Sequence, residues 1–470
     1  MSYVFCEDQF IKTFNAKSIE EKAADSLRLS HVPDKFFKLF PYKASGRTQA
    51  PVVTDLVDVV SGFFKYALNI QTEPVEYESL CQKLLEKIDI EEQDIEFFKE
   101  MILGLFFRGD NFVAQNIGLY PYQTVVNNKS ADRLAFFLYC VLGLNERDRK
   151  EIDKVKKEYP FNVLEKIVVE VIDTNRNEEK ETDKQYYNVV TDVQEKFRED
   201  FYFMLKSEMT SLEDFSNLLS VYYFYYVSQT CLTLDKFCDG KRDNPIPLYY
   251  ALDWEKVSKN RACCTDGWEQ LQGKINHMFS HAITLEILNQ HGTDNMYDYI
   301  KLQELSNGDS EQDKLIAKEI EKAENIYKSY VGDYKKFDEI SMPDGGSTTS
   351  KAIIHLFKCV EAQFLETERK RANQFYNEKF SEYCKTRWVK NRRKAGLVLN
   401  LTERDIIFLT KISLREKDKI RLNDLYKQYE YRGFYLDNTS KVLLQEFFTK
   451  LNLIDKKSDS GDAQYVKRIL

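Results

Sequence analysis

Apolar residues recur at steps of three and four along most of the chain before its last hundred residues, the period of amphipathic helices. "TDLVDVVSGFFKYAL", "VEYESLCQKLLEKI" and "DIEFFKEMILGLFF" each predict one helix. Ser18-x-x-Glu21 has the form of a capping box and predicts a further helix over "IEEKAADSLRL". Ser211-x-x-Asp214 opens a helix containing "VYYFYYV", apolar or aromatic all round, which predicts a central core helix. As a stacking platform for bases it would sit in the acidic part of the chain, so the core reading is preferred. "NERDRKEIDKVKKEYP" and "DTNRNEEKETDKQ" are charged throughout and predict a solvated connection or exposed helix ends.

"SMPDGGSTTSK" is the most loop-like stretch. After it Ile353, Phe357, Val360 and Phe364 form a seam that resumes at Ala372, Tyr376, Phe380 and Tyr383. The seam predicts one helix from Ala352 to Lys390, about 58 Å long at 1.5 Å per residue. From Leu397 the pattern changes. Thr402-x-x-Asp405 caps "ERDIIFLTKIS", "RLNDLYKQYEYRG" ends at Gly433, and Asp437 caps "NTSKVLLQEFFTKL". In this last helix Leu443, Leu444, Phe447 and Leu451 form the expected buried stripe, and Asn438, Lys441, Gln445 and Thr449 the polar one. A polar turn, "KKSDSGDA", then leads into "QYVKRIL", which alternates as a strand does. Three short helices followed by a hairpin predict a winged helix-turn-helix. The fold class expected is therefore all-α and multi-module. It has helical modules at 1–150 and 151–350, a long basic connecting helix at 351–395, and the winged helix-turn-helix at 396–470.

Composition agrees with long helices: Gly is 17 and Pro 9 of 470 residues, both well below average usage. Charge changes the picture more. The net charge is −8, but Arg369–Leu470 holds 24 Lys/Arg against 13 Asp/Glu, a net of +11, which leaves −19 on Met1–Glu368. A basic C-terminal region on an acidic body points to a nucleic-acid-facing or acid-facing surface. The longest apolar run, "LAFFLYCVLGL", is too short for a bilayer, which needs roughly 20 residues. "MSYVFCEDQF" lacks the form of a signal peptide. The nine cysteines are read as reduced thiols, and a cytoplasmic protein without membrane contact is expected.

Candidate chemistry is sparse. "GGSTTSKA" departs from a phosphate loop where Ser350 and Ala352 replace the second Gly and the hydroxyl residue, so no nucleotide or other cofactor is expected. Cys263 and Cys264 precede His277 and His281, and His277-x-x-x-His281 is a legitimate zinc spacing. A C-x2-C pair is missing, however, and adjacent cysteines rarely both ligate one ion. The histidines are read as a pair at a helix interface, with no metal assigned. No catalytic motif stands out, and no catalytic residue is named.

The positive signal is cationic. Arg369, Lys370, Arg371, Lys379, Lys385, Arg387, Lys390, Arg392, Arg393 and Lys394 face only Glu378 and Glu382 in the same stretch. Such a cluster attracts phosphate through counterion release; the alternative is a solvated face paired with the acidic body. In a winged helix the third helix enters the major groove. Asn438, Thr439, Lys441 and Gln445 would then face base edges, with Lys456 and Lys457 near phosphate. Asp459 and Asp462 would oppose phosphate at the wing tip, which keeps a protein-docking module open.

At Arg432 to Val466, "RGFYLDNTSKVLLQEFFTKLNLIDKKSDSGDAQYV", the chain resembles the C-terminal end of the DptG (DndG) family of DNA phosphorothioation-dependent restriction systems. "SDSGDAQYV" is the most specific part of the match. The resemblance implies a subunit acting with DptF-like and DptH-like partners, which would carry the nucleotide-driven work. Their complex would damage double-stranded DNA lacking the phosphorothioate mark. It implies no catalytic residues for this chain. The expected role is a non-catalytic DNA-binding or assembly subunit; the alternatives are a nuclease subunit with an unrecognised site and a pure scaffold whose winged helix docks protein.

Overall fold

A computed structural model describes residues 3–31, 33–43, 53, 55–125, 128–173, 176–178, 186–207, 210–456 and 464–469, with the backbone alone at 128, 176–178 and 456. The chain is mostly helical, 59% helix and 8% strand. Among the described residues there are eighteen α-helices and four small sheets, so the all-α expectation holds for the bulk and misses the sheets.

Helix Leu212–Leu234 is the centre of the molecule. The Ser211 side chain accepts from the Asp214 N–H, and the Asp214 carboxylate accepts from the Ser211 N–H, as the capping box predicted. From Leu218 onward every side chain is buried. Four tyrosines inside this helix stay buried because each hydroxyl is bonded: Tyr222 to Asp200 at 2.8 Å, Tyr223 to Tyr42 at 2.6 Å, Tyr225 to Asp192 at 2.8 Å and Tyr226 to the Tyr187 carbonyl at 3.0 Å. The aromatic run is core.

Two expected helices differ. Over 18–26 only two separate turns form, with Glu21 accepting from the Ser18 N–H at 2.8 Å in the first and the Ser26 N–H donating to the Ala23 carbonyl at 3.1 Å in the second. The polar residues here offer no apolar face. Leu27, Arg28 and Leu29 are buried in succession instead, with Leu27 bridging to Val331. The seam from Ile353 to Tyr383 is carried by two helices, Thr348–Glu366 and Lys370–Arg387, not one connecting helix. Thr367 is extended at the break, where its hydroxyl donates to the Gln363 carbonyl at 2.6 Å. The bend lets Phe364 and Tyr376 close on Phe279 from both sides, with ring centroids 4.6 and 5.2 Å away.

The C-terminal residues are built into the body. Strand Tyr249–Leu252 runs parallel to Leu397–Leu401 on one side and to Tyr435–Leu436 on the other, and Val389–Asn391 pairs antiparallel with Leu397–Leu401. The boundary expected at 395/396 is thus crossed by a four-stranded sheet. Beyond it come helices Glu403–Leu414, Leu422–Tyr431 and Asn438–Lys450. Strands Ile454–Lys456, Gln464–Lys467 and Lys419–Arg421 form a three-stranded antiparallel sheet in that order. Thr402 and Asp405 make the predicted capping box.

Candidate nucleic-acid interface

Helix Asn438–Lys450 starts where its sequence predicts. The Asp437 side chain accepts from the Ser440 N–H at 3.0 Å. Arg261 then holds Asp437 with two bonds, 2.9 and 2.6 Å, and reaches the Ser440 hydroxyl at 2.8 Å. That hydroxyl donates to the buried Glu255 carboxylate at 3.0 Å. Burial alone would raise the Asp437 carboxyl, but bonds from Arg261 and the Ser440 N–H hold it below its ordinary value. Burial keeps Glu255 above its own. The first turn of this helix is therefore anchored on the loop after strand Tyr249–Leu252. Trp254 from the same loop stacks on Phe447 at 4.7 Å.

The anchored helix is rotated relative to the predicted stripes. Ser440, Leu444 and Phe448, four apart, are its buried line. Leu443 and Phe447 are half-buried and Leu451 is exposed. Asn438 and Thr439 are exposed; Gln445 is half-buried. Lys441 lies along Leu422–Tyr431, its ammonium 3.1 Å from Glu430 and over the Tyr426 ring. Val442, 56% exposed, and Glu446 occupy the outward face instead.

The basic stretch divides in three. Arg387 pairs with the buried Asp405 and lies over the Trp388 ring. Arg392 donates to the carbonyls of Leu252 at 2.7 Å, Asp253 at 3.1 Å and Glu255 at 3.2 Å, and to the Asn400 side chain. These two half-buried cations are engaged in contacts within the chain. Lys390 pairs with Asp253 at 2.5 Å and Arg369 with Asp333 at 3.1 Å, both at half-exposed positions. Lys370, Arg371, Lys385, Arg393 and Lys394 are exposed. Lys457, Asp459 and Asp462 lie outside the described residues, as does the side chain of Lys456.

Glu255 brings the parts together. Its carbonyl accepts from Arg392 and its carboxylate from Ser440. The exposed turn carrying Arg393 and Lys394 thus flanks the same loop as the exposed helix start at Asn438 and Thr439. That loop adds two exposed lysines, Lys256 and Lys259. Sequence alone does not single them out, because they lie in the acidic part of the chain; their one signal is the local run "EKVSKNR". On the outer face of the small sheet, Lys419 and Arg421 approach the Tyr465 ring at 5.3 and 6.0 Å, and Lys419 pairs with Asp455 at 2.8 Å.

No family model and no curated protein matches the chain. Four exposed cations, Lys256, Lys259, Arg393 and Lys394, thus lie on two segments joined through Glu255 to the helix start where Asn438 and Thr439 are exposed.

The other pattern picked out from the sequence separates in space. Cys263 and Cys264 are buried in a small cluster with Ala251 and Val398, where burial pushes the Cys263 thiol up to about 12. His277 and His281 gather with Asp235 in a cluster that includes neither cysteine. No described helix is long and apolar enough to cross a membrane.

Proposed function

We propose that this chain is a non-catalytic DNA-binding and assembly subunit of a phosphorothioation-dependent restriction complex, similar to DptG, and that residues 396–470 are a winged helix-turn-helix. Its partners are DptF-like and DptH-like subunits, and its target is double-stranded DNA lacking the mark. Support for the winged helix comes from element order. After helix Glu403–Leu414 come strand, helix, the two-residue strand Tyr435–Leu436, helix, strand and strand, and Lys419–Arg421 pairs with the last strand. In that arrangement the third helix is the one that enters the major groove.

The observation that carries the reading is the first turn of helix Asn438–Lys450. Asn438 and Thr439 are exposed there, on a helix start that Ser440 ties to the loop bearing exposed Lys256 and Lys259, and Arg392 ties the same loop to the exposed turn of Arg393 and Lys394. Cations of this kind position a duplex through phosphate, and the helix side chains read base edges. The test is fluorescence anisotropy of the full chain on unmodified and phosphorothioate duplexes across a salt series. Reversing the four cations to Glu should weaken binding to every duplex. It should flatten the salt dependence by about 0.9 log unit of slope for each phosphate no longer neutralised.

A second reading, a winged helix that docks protein, is favoured by Val442 and Glu446 on the outward face. A chain that binds no duplex at low salt, yet still captures a partner subunit, would establish that reading and overturn the first.

A further inference from the structure

We propose that Asp235, His277 and His281 form a binding site for one divalent transition-metal cation of the zinc class. The three residues come from two elements. Asp235 caps the end of the central helix Leu212–Leu234, and His277 and His281 begin helix Met278–Leu288, with Glu361 of Thr348–Glu366 against the other ring nitrogen of His277. One ligand atom from each of Asp235, His277 and His281 lies within 4.8 Å of the others. His277 Nδ1 is 2.8 Å from Asp235, while its Nε2, the opposite ring nitrogen, is 3.4 Å from Glu361. Ligands at 2.0–2.1 Å from a tetrahedral zinc sit about 3.3 Å apart, so the edge between His277 and Asp235 need open only slightly to hold one.

An ordinary ion-pair network accounts for part of this. Lys274 satisfies Asp235 from the far side at 2.6 Å, and His277 bridges the two carboxylates. It leaves His281 unexplained. The His281 Nδ1 meets the Tyr299 hydroxyl at 3.0 Å, and its Nε2 is buried with no hydrogen-bond partner among the described residues. Buried polar atoms are almost always bonded. An imidazole held through one nitrogen with the other left bare is how metal-bound histidines are oriented. Phe357 stacks on the His281 ring at 4.4 Å and Phe237 flanks it at 5.5 Å, which keeps the ring from turning.

The donor set selects the cation. Two imidazoles and one carboxylate suit zinc, cobalt or nickel; calcium and magnesium need more oxygens, and no thiolate is present for a softer ion. The site also has a mouth and a floor: the His277 side chain is 32% exposed, and His281 is 1% exposed. A cation entering past His277 would take the place of the hydrogen bond between His277 and Asp235 and tie helix Met278–Leu288 to the end of the central helix.

The test uses the full chain, stripped with a chelator and titrated with Co²⁺ and then Zn²⁺. One equivalent of Co²⁺ should give visible d–d bands without a thiolate charge-transfer band, and Zn²⁺ should displace it. His281→Gln and Asp235→Asn should each weaken binding at least about tenfold. The double change Cys263→Ser with Cys264→Ser should leave binding unchanged. His277→Gln, at a partly exposed position, supplies the same readout where the change at buried His281 impairs folding, with circular dichroism as the check on the fold. Absence of a cobalt spectrum at micromolar metal overturns the proposal. So does a thiolate band, or binding that survives all three ligand changes.

Discussion

Arg432 and Asp200 form a fully buried, two-bond ion pair, Nε and Nη2 of the guanidinium each 2.6 Å from a carboxylate oxygen. The remaining valences are filled. Arg432 also donates to the carbonyls of Gln428 at 2.8 Å and Ile412 at 3.2 Å, and Tyr222 and Arg415 donate to Asp200 at 2.8 and 3.1 Å. The pair fastens the C-terminal helices to helix Val193–Lys206 and to the central helix. Asp200→Ala should cost about 3–5 kcal/mol, because it strands a buried guanidinium. The double change Asp200→Leu with Arg432→Met should cost less than Asp200→Ala alone. Urea unfolding of the three proteins measures this, and a double change costlier than the single one would refute it.

Two neighbouring arginines should behave oppositely under one charge change. Arg392→Glu places a carboxylate against the carbonyls of Leu252, Asp253 and Glu255 and should lower the melting temperature by several degrees. Arg393→Glu, at an exposed turn, should leave the melting temperature within about a degree and weaken duplex binding. Equal melting temperatures for the two variants would show that Arg392 is no fastener.

Gly433 has φ +86°, and a Cβ there would stand 2.7 Å from Tyr225 Cδ2. Gly433→Ala therefore combines left-handed strain with a clash against the central helix. A loss of about 1–3 kcal/mol is expected by chemical denaturation. Gly345→Ala, also at positive φ but in open space, should cost less.

Stability should fall as pH rises toward neutrality, and Glu286 should be one source. Burial pushes both the Glu286 and Asp34 carboxyls up to about 7. In the unfolded chain both ionise near pH 4, so between roughly pH 4 and 7 the folded state binds more protons. Their contribution is fully present below the unfolded values and is lost as pH passes 7. Glu286 accepts from the Phe36 and Phe37 N–H groups at 2.9 and 3.0 Å, a role a neutral amide oxygen can keep. Glu286→Gln should accordingly show a smaller drop in melting temperature between pH 5.5 and 8 than the unaltered chain. Parallel curves would exclude Glu286 as the titrating group.

Local signals were legible in the sequence where one short segment decides the outcome. The capping residues Ser211, Thr402 and Asp437 each start the helix their spacing predicts, and "VYYFYYV" is buried on every side as its composition demands. Signals that depend on a distant partner were not. The seam at Ile353 to Tyr383 is continuous in sequence, and only the packing of Phe279 between its halves explains the break at Thr367. Arg392 and Arg393 are indistinguishable until the strand carrying Leu252 is beside them. Ser440 replaces Leu443 on the buried line because Glu255 and Arg261 draw it inward. The histidine pair is visible at its helical spacing, but the cysteines nearest to it in sequence are not its neighbours in space. Asp235 and Glu361 reach it from elements far away in sequence.

The parallel strand Tyr249–Leu252 has a consequence for how the protein is made. Both of its neighbours, Leu397–Leu401 and Tyr435–Leu436, leave the ribosome long after it does. Until then its two edges stand open, and an open, largely apolar edge is a template for wrong pairing. Translation stalled between the strand and residue 397 would therefore yield a nascent chain with a helical body and an uncapped sheet, a natural substrate for chaperones and proteases. Arrival of Leu397–Leu401 and then Tyr435–Leu436 covers those edges, so the sheet is complete only when the segment leading into the proposed DNA contact has been made.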